Sequence, residues 1–198
     1  MGSLPFSQSC ENNKAVILEV LKDVFADRQT VLEIASGTGQ HACYFAAHMA
    51  WLQWQPTELP AHLSVLQPRC EAYTGTNILQ PQILDVCAEP WPVPIPDALF
   101  SANSLHIMPF SAVKQLFTAL GRSTGNDVKL AIYGPFNYGG KYTSPSNARF
   151  DQWLAQQHAD SAIRDFEAVN ELAGKAGFDL LDDYEMPANN RLLLWAKA

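Results

Sequence analysis

Thr30-Val31-Leu32-Glu33-Ile34-Ala35-Ser36-Gly37-Thr38-Gly39-Gln40 is the stretch whose reading decides the fold. Thr30 to Ile34 is a short β-branched run of the kind that forms a buried strand; a glycine turn follows, and Gln40 to Met49 then carries helical spacing. Gly37 and Gly39 let backbone come close to a ligand at the carboxyl end of a strand, where open parallel sheets bind their ligands. Upstream, Val16, Ile17, Val20, Leu21, Val24 and Phe25 repeat at helical spacing, which predicts a helix over about 12–27 capped by Asn12 or Asn13. Downstream, strands are expected at Trp51 to Gln55, Ile83 to Val86, Ala98 to Asn103 and Val128 to Tyr133, with helices over about 61–72 and 110–120. Gly134 to Pro145 reads as irregular. Helices over about 147–157 and 166–176 come next, Asp165 capping the second and Gly177 stopping it. Two strand-like runs, Phe178 to Tyr184 and Arg191 to Lys197, close the chain. Strand–helix alternation predicts a parallel sheet covered on both faces. The last two strands have no helix between them and should pair as an antiparallel hairpin at one edge.

The 198 residues suit a single domain, and 47% apolar against 17% charged residues is an ordinary globular balance. No apolar run approaches the roughly 18 residues of a membrane span, so no membrane association is expected. The start of the chain lacks the basic and apolar regions of a signal peptide. Cys10, Cys43, Cys70 and Cys87 form no C-x-x-C pair and have no zinc-ligand spacing, which speaks for free thiols in a reducing cytoplasm and against a metal centre. A net charge of -7 without a basic cluster argues against nucleic acid as partner and for a small molecule.

The glycine loop admits two cofactors. Gly37-x-Gly39-x-x-Ala42 matches the dinucleotide fingerprint, with Glu58 where a ribose-binding acid should fall, so a nicotinamide-dependent oxidoreductase is one reading. Glu33 and the terminal hairpin point elsewhere: a carboxylate four residues before Gly37 suits an ammonium group, and dehydrogenase sheets do not usually end in such a hairpin. Glu33-x-x-x-Gly37-x-Gly39 resembles the first motif of class I S-adenosylmethionine-dependent methyltransferases. That resemblance implies a Rossmann-like seven-stranded sheet in the order 3-2-1-4-5-7-6, with strand 7 antiparallel and helices on both faces. It implies that Gly37, Thr38 and Gly39 pass beneath the methionine part of S-adenosylmethionine, and that Glu33 sits near its amino group. Glu58 is then the clamp on both ribose hydroxyls, two acceptor oxygens matching two adjacent donors. Asp85 takes the adenine amino group, with the Val86 N–H beside it, and Asn103 faces the methyl group.

A closer resemblance covers nearly the whole chain. Ser9-Cys10-Glu11-Asn12-Asn13-Lys14, Gly37-Thr38-Gly39-Gln40-His41-Ala42, Trp54-Gln55-Pro56, Asn103-x-x-His106-Ile107, Tyr133-Gly134-Pro135-Phe136, Ser146-Asn147, Ile163-Arg164-Asp165 and Met186-Pro187-Ala188-Asn189-Asn190 look like a little-studied family, the domain-of-unknown-function group that includes methyltransferase-like protein 26. The chain departs from that pattern at Ala35, where Gly is commoner, at Glu58, where Asp is, near Asn12, where Arg is expected, and at Ser161-Ala162, where Trp-Gly is.

Methyl transfer from a sulfonium is an in-line displacement that needs alignment, and a base only for a protonated acceptor. His106 is the best base, since imidazole titrates near neutrality, although a His in a first helical turn also serves as a structural hydrogen-bonder. Tyr133 is its companion at the end of the fifth strand. The segment over about 134–165 reads as a flap or insert, and the acceptor contacts expected are Asn12, Lys14, Tyr138, Arg164, Asn189 and Asn190. Arg164 suits either an acidic acceptor or an internal ion pair with Asp165. The expected chemistry is methyl transfer to a small molecule, leaving S-adenosylhomocysteine, by a monomer or homodimer. An S-adenosylmethionine-binding regulatory module without transferase activity is the second reading.

Overall fold

A single carboxylate starts the central strand β1, Thr30–Glu33. Asp97 accepts the backbone N–H groups of Gln29 and Thr30 and the Thr30 hydroxyl, each at 2.8 Å. β4, Ala98–Ala102, begins at the next residue and pairs in parallel with β1. Around this pair the computed structural model describes residues 3–197, which divide into two compact units, one running to Ser101 and the other starting at Ala102.

In the first unit α1, Gln8–Val24, is capped by Ser7 and not by Asn12 or Asn13. Its first turn is exposed and polar, so no apolar repeat marks it in the sequence. Asn13 is instead a buried helical residue. α2, Gln40–His48, leaves the glycine loop, and β2, Gln53–Glu58, pairs in parallel with β1 so that Glu33 stands opposite Pro56. β2 therefore runs three residues beyond the expected end, through Pro56 and Thr57, and finishes on Glu58. α3, Leu63–Glu71, follows. β3 is only Gln82–Ile83, paired with Thr57 and Glu58, and Asp85 lies beyond its end. Phe45, Trp54 and Phe100 fill the core, with ring centroids 5.4 to 6.0 Å apart in edge-on or tilted contacts, the arrangement that ring quadrupoles favour.

The second unit holds α4 (Phe110–Ser123), β5 (Lys129–Gly134), α5 (Pro145–Gln157) and α6 (Phe166–Lys175), followed by the long hairpin β8 (Phe178–Met186) and β9 (Asn190–Lys197). The stretch expected to be irregular contributes β6, Phe136–Asn137, which pairs in parallel with β7, Arg164–Asp165. Two-residue strands carry no readable alternation, which is why the sequence hides them. Ser144 caps α5 with Pro145 in its first turn, whereas Asp165 stands at the start of α6 without a side-chain capping bond. Gly177 takes a left-handed φ of +87° just beyond α6.

The large sheet has the strand order β3-β2-β1-β4-β5-β9-β8, and β9 is antiparallel to both β5 and β8. Counted without β6 and β7, this is the order 3-2-1-4-5-7-6. Among the described residues no helix is long and apolar enough to cross a membrane.

Ala35 lies in the left-handed region at φ 58°, where its methyl crowds the following carbonyl. Ala35→Gly is expected to stabilise the protein by about 0.5–1 kcal/mol, the relief outweighing the added backbone entropy of the unfolded chain. A higher urea midpoint at unchanged slope is the expected result.

Candidate cofactor and acceptor residues

The loop after β1 is held by the end of β2. The Ser36 N–H donates to the Thr57 carbonyl at 2.9 Å, and the Gly37 N–H donates to Glu58 Oε2 at 2.8 Å. The other carboxylate oxygen of Glu58 takes the Leu59 N–H at 2.8 Å. Each oxygen keeps a second lone pair for another donor. The two glycines serve different ends. A Cβ on Gly39 would stand 2.9 Å from Leu66 Cδ1, so α3 packs directly on it, while a Cβ on Gly37 would meet nothing within 4 Å. Both have positive φ. Arg69, on α3, donates from Nε to the Thr38 carbonyl at 2.8 Å and from Nη2 to the Pro5 carbonyl. Gln40 accepts from the Ser7 N–H at 2.5 Å and from the Thr38 hydroxyl at 3.0 Å. The segment before α1 is thereby tied to the glycine loop.

Glu33 is buried, and its Oε2 takes the indole N–H of Trp54 at 2.9 Å. Burial pushes its carboxyl up to about 7; bonds from Trp54 and Ser36 pull the other way, and the nearby Glu58 charge adds to the rise. His41 bonds Asn13 Oδ1 at 2.7 Å and stacks on Phe45, and burial followed by the Lys14 charge lowers its pKa to about 4. Asp85 is exposed, its Oδ1 closing a turn on the Cys87 N–H at 2.9 Å, and Val86 is buried with its carbonyl on the Trp91 indole. The two acceptor contacts expected on α1 have protein partners, on their own helix and, for Lys14, also on α2. Asn12 accepts from Gln8, and Lys14 pairs with Glu11 and lies over the Tyr44 ring.

In the second unit Asn103 has φ 56°, and its N–H donates to the Tyr133 carbonyl at 2.9 Å. Tyr133 is buried near the end of β5. His106 is 5% exposed, edge-on to Phe150 at 5.4 Å, and burial, then the Arg164 charge, lowers its pKa to about 4. Arg164 does not form the ion pair with Asp165 that its neighbour suggested. Its Nε and Nη2 donate to the carbonyls of Leu105, Met108 and Asp160, and the guanidinium lies over Phe110. A planar fork suits converging carbonyl oxygens, and here it fastens β7 to the loop that carries His106.

Tyr138 donates to Asp183 Oδ2 at 2.7 Å and stacks on Phe166, while Arg191 binds the other oxygen of Asp183. The Gly139 N–H is held by Glu167, and Tyr142 by Asp151. Asn189 bonds the Ser146 hydroxyl, and its carbonyl takes the Asn147 amide; Asn190 bonds the Pro187 carbonyl. Three working residues escaped the sequence reading. Trp54 stood in a quoted motif but had no role, Asn147 likewise, and Arg69 is a lone cation in a helix with no signal at all.

A family model described as protein of unknown function (DUF938) matches residues 4–197. The fold is similar to that of an O-methyltransferase family protein from Burkholderia thailandensis, with a TM-score of 0.80 at 14% identity over 93% of this chain and 56% of that one. It is similar to the S-adenosylmethionine-dependent methyltransferase SibL in its apo form (0.79, 16%, 95% and 55%). Human N-acetylserotonin methyltransferase in complex with SAM is a third (0.74, 13%, 93% and 56%). This chain thus spans just over half the length of the solved chains it matches, and the likeness is one of fold.

Glu33 also makes a stability prediction. Its carboxyl has an ordinary value of 4.5 and a folded value of about 7, so its contribution is fully present below about pH 4.5 and is lost as the pH rises through 7. Glu33→Gln keeps the shape without the ionisation. Relative to the parent it is expected to gain on the order of 3 kcal/mol between pH 5 and pH 8 in urea unfolding. Parallel pH dependence of the two proteins would refute the raised value.

Proposed function

The chain belongs to the family described as protein of unknown function (DUF938), and we propose that it is a cytoplasmic enzyme that binds S-adenosylmethionine and transfers its methyl group to a small-molecule acceptor. The observation that carries this reading is the Glu58 carboxylate, which closes β2, holds the Gly37 N–H and keeps lone pairs on both oxygens. That arrangement fits the adjacent hydroxyls of a ribose, and the open space over Gly37 fits a ligand resting on the loop. When bound, the cofactor supplies a methyl group already activated on a sulfonium, with S-adenosylhomocysteine as the product.

The residues divide the remaining work. Glu33 faces the amino group of the methionine part, and an ammonium beside it favours the charged carboxylate, so cofactor binding draws its pKa down. Thr38 and Gly39 complete the cradle. Asp85 and Val86 take the adenine edge, and Asn103 is assigned to the cofactor. His106 is the proton acceptor for the incoming nucleophile, with Tyr133 as its companion. Burial keeps its imidazole neutral above about pH 4, which leaves a ring-nitrogen lone pair free at neutral pH but makes it a weaker base than an exposed histidine. Tyr138, Arg164, Asn189 and Asn190 are assigned to the acceptor, with Asn12 and Lys14. The terminal antiparallel pair β8–β9 supports this cofactor over a nicotinamide dinucleotide.

Titration calorimetry tests the reading. S-adenosylmethionine is expected to bind, while NADH and NADPH are not; the reverse pattern would overturn it. Glu58→Ala should weaken cofactor binding by at least about tenfold, or roughly 1.4 kcal/mol, and an unchanged Kd would remove Glu58 from the site. Methyl transfer is checked by release of S-adenosylhomocysteine across a panel of small hydroxyl and amine compounds. Release that His106→Ala does not slow would remove His106 from its role.

A further inference from the structure

The proposed reaction uses none of the cysteines, yet three of them stand around one cation. Cys10, Cys43 and Cys70 all feel the charge of Arg69. Cys43 is on α2, which leaves the glycine loop, and Cys70 is on α3, which packs against that loop. The Cys43 Sγ lies 3.7 Å from the carbonyl of Arg69, the residue before Cys70, and the two thiols stand close enough to shift each other's ionisation. Both are half-buried and free.

We propose that Cys43 and Cys70 are a redox-modification site, a dithiol that a low-molecular-weight disulfide closes into a bond between α2 and α3 and that thereby grips the glycine loop. The two thiols differ in the way such chemistry needs. The neighbouring Cys70 thiol, and then the Arg69 charge, hold the Cys43 pKa below the ordinary thiol value against the effect of burial, while the nearness of Cys43 followed by burial holds Cys70 above it. Cys43 is therefore the attacking thiolate. It displaces one thiolate from the oxidant and forms a mixed disulfide. Cys70 then gives up its proton, attacks the Cys43 sulfur and expels the second thiolate. Two cysteine thiols and one disulfide become one protein disulfide and two small thiols, and the two protons leave on those thiols.

The bond acts on the loop through α3. A disulfide draws two sulfurs to about 2.05 Å, well inside thiol contact. The same helix carries Leu66, packed on Gly39, and Arg69, bonded to the Thr38 carbonyl. Closing the bond thus shifts and stiffens the loop between Gly37 and Cys43. Any effect on S-adenosylmethionine rests on the proposed function; the bond itself and the stiffening do not.

The test treats the full chain with oxidised glutathione, then with a phosphine reductant. Intact mass should fall by two hydrogens, peptide mapping should find Cys43 joined to Cys70, and Cys70→Ser should instead trap glutathione on Cys43. Amide exchange at residues 37–43 should slow about tenfold on oxidation, and cofactor affinity should fall about tenfold, both reversed by the reductant. Glutathione on Cys87 alone, or a bond from Cys10, would overturn the site. A Cys43–Cys70 bond that leaves loop exchange unchanged would overturn the grip. Slowed exchange in a protein that never binds S-adenosylmethionine would sustain this inference and refute the proposed function.

Discussion

The hydrogen bond from the Gly37 N–H to the Glu58 carboxylate is the constraint around which the first unit is organised. It joins the turn after β1 to the last residue of β2: inside that turn the Gly39 N–H is taken by the Ser36 carbonyl at 2.9 Å, while the Gly37 N–H turns outward to the carboxylate. A charged acceptor makes that bond stronger than a neutral one would. Because the same side chain also closes onto the Leu59 N–H, its orientation is set before any ligand arrives.

Burial governs the charge state of the titratable groups that matter. Glu33, His41 and His106 are all taken out of water, and in each desolvation favours the neutral form. Each still has a defined neighbour: an indole donor, an asparagine oxygen and a phenyl edge, respectively. The first unit therefore presents a carboxyl poised to ionise beside a cation, and the second an imidazole that stays uncharged.

The second unit solves a different problem. The long connection between β5 and α6 has too few apolar residues to pack as a layer, so polar staples hold it. Arg164 gathers three carbonyl groups, Asp183 joins Tyr138 to Arg191, and Asn147 ties α5 to the turn before β9. Buried or half-buried polar groups of this kind are costly alone and specific when satisfied. They make a segment that reads as loose in the sequence into one with defined contacts.

The alternation of strand and helix patterns was enough to predict the parallel sheet and its antiparallel end, because periodicity and glycine punctuation are local properties of the chain. The glycine loop, and the placement of Glu33, Glu58 and Asp85 near successive strand ends, were legible for the same reason. Partners were not. Nothing local says that Trp54 bonds Glu33, that Arg69 reaches the Thr38 carbonyl, or that Cys43 meets Cys70, since residues 21 to 31 apart become neighbours only when β1, β2 and the helices pack. Arg164 shows the difference most sharply. Its sequence neighbour is an aspartate, the obvious partner for a cation, yet the fold surrounds its guanidinium with carbonyl oxygens. Sequence determined which elements form and in what order, whereas packing alone decided which side chains face one another and which charges are kept out of water.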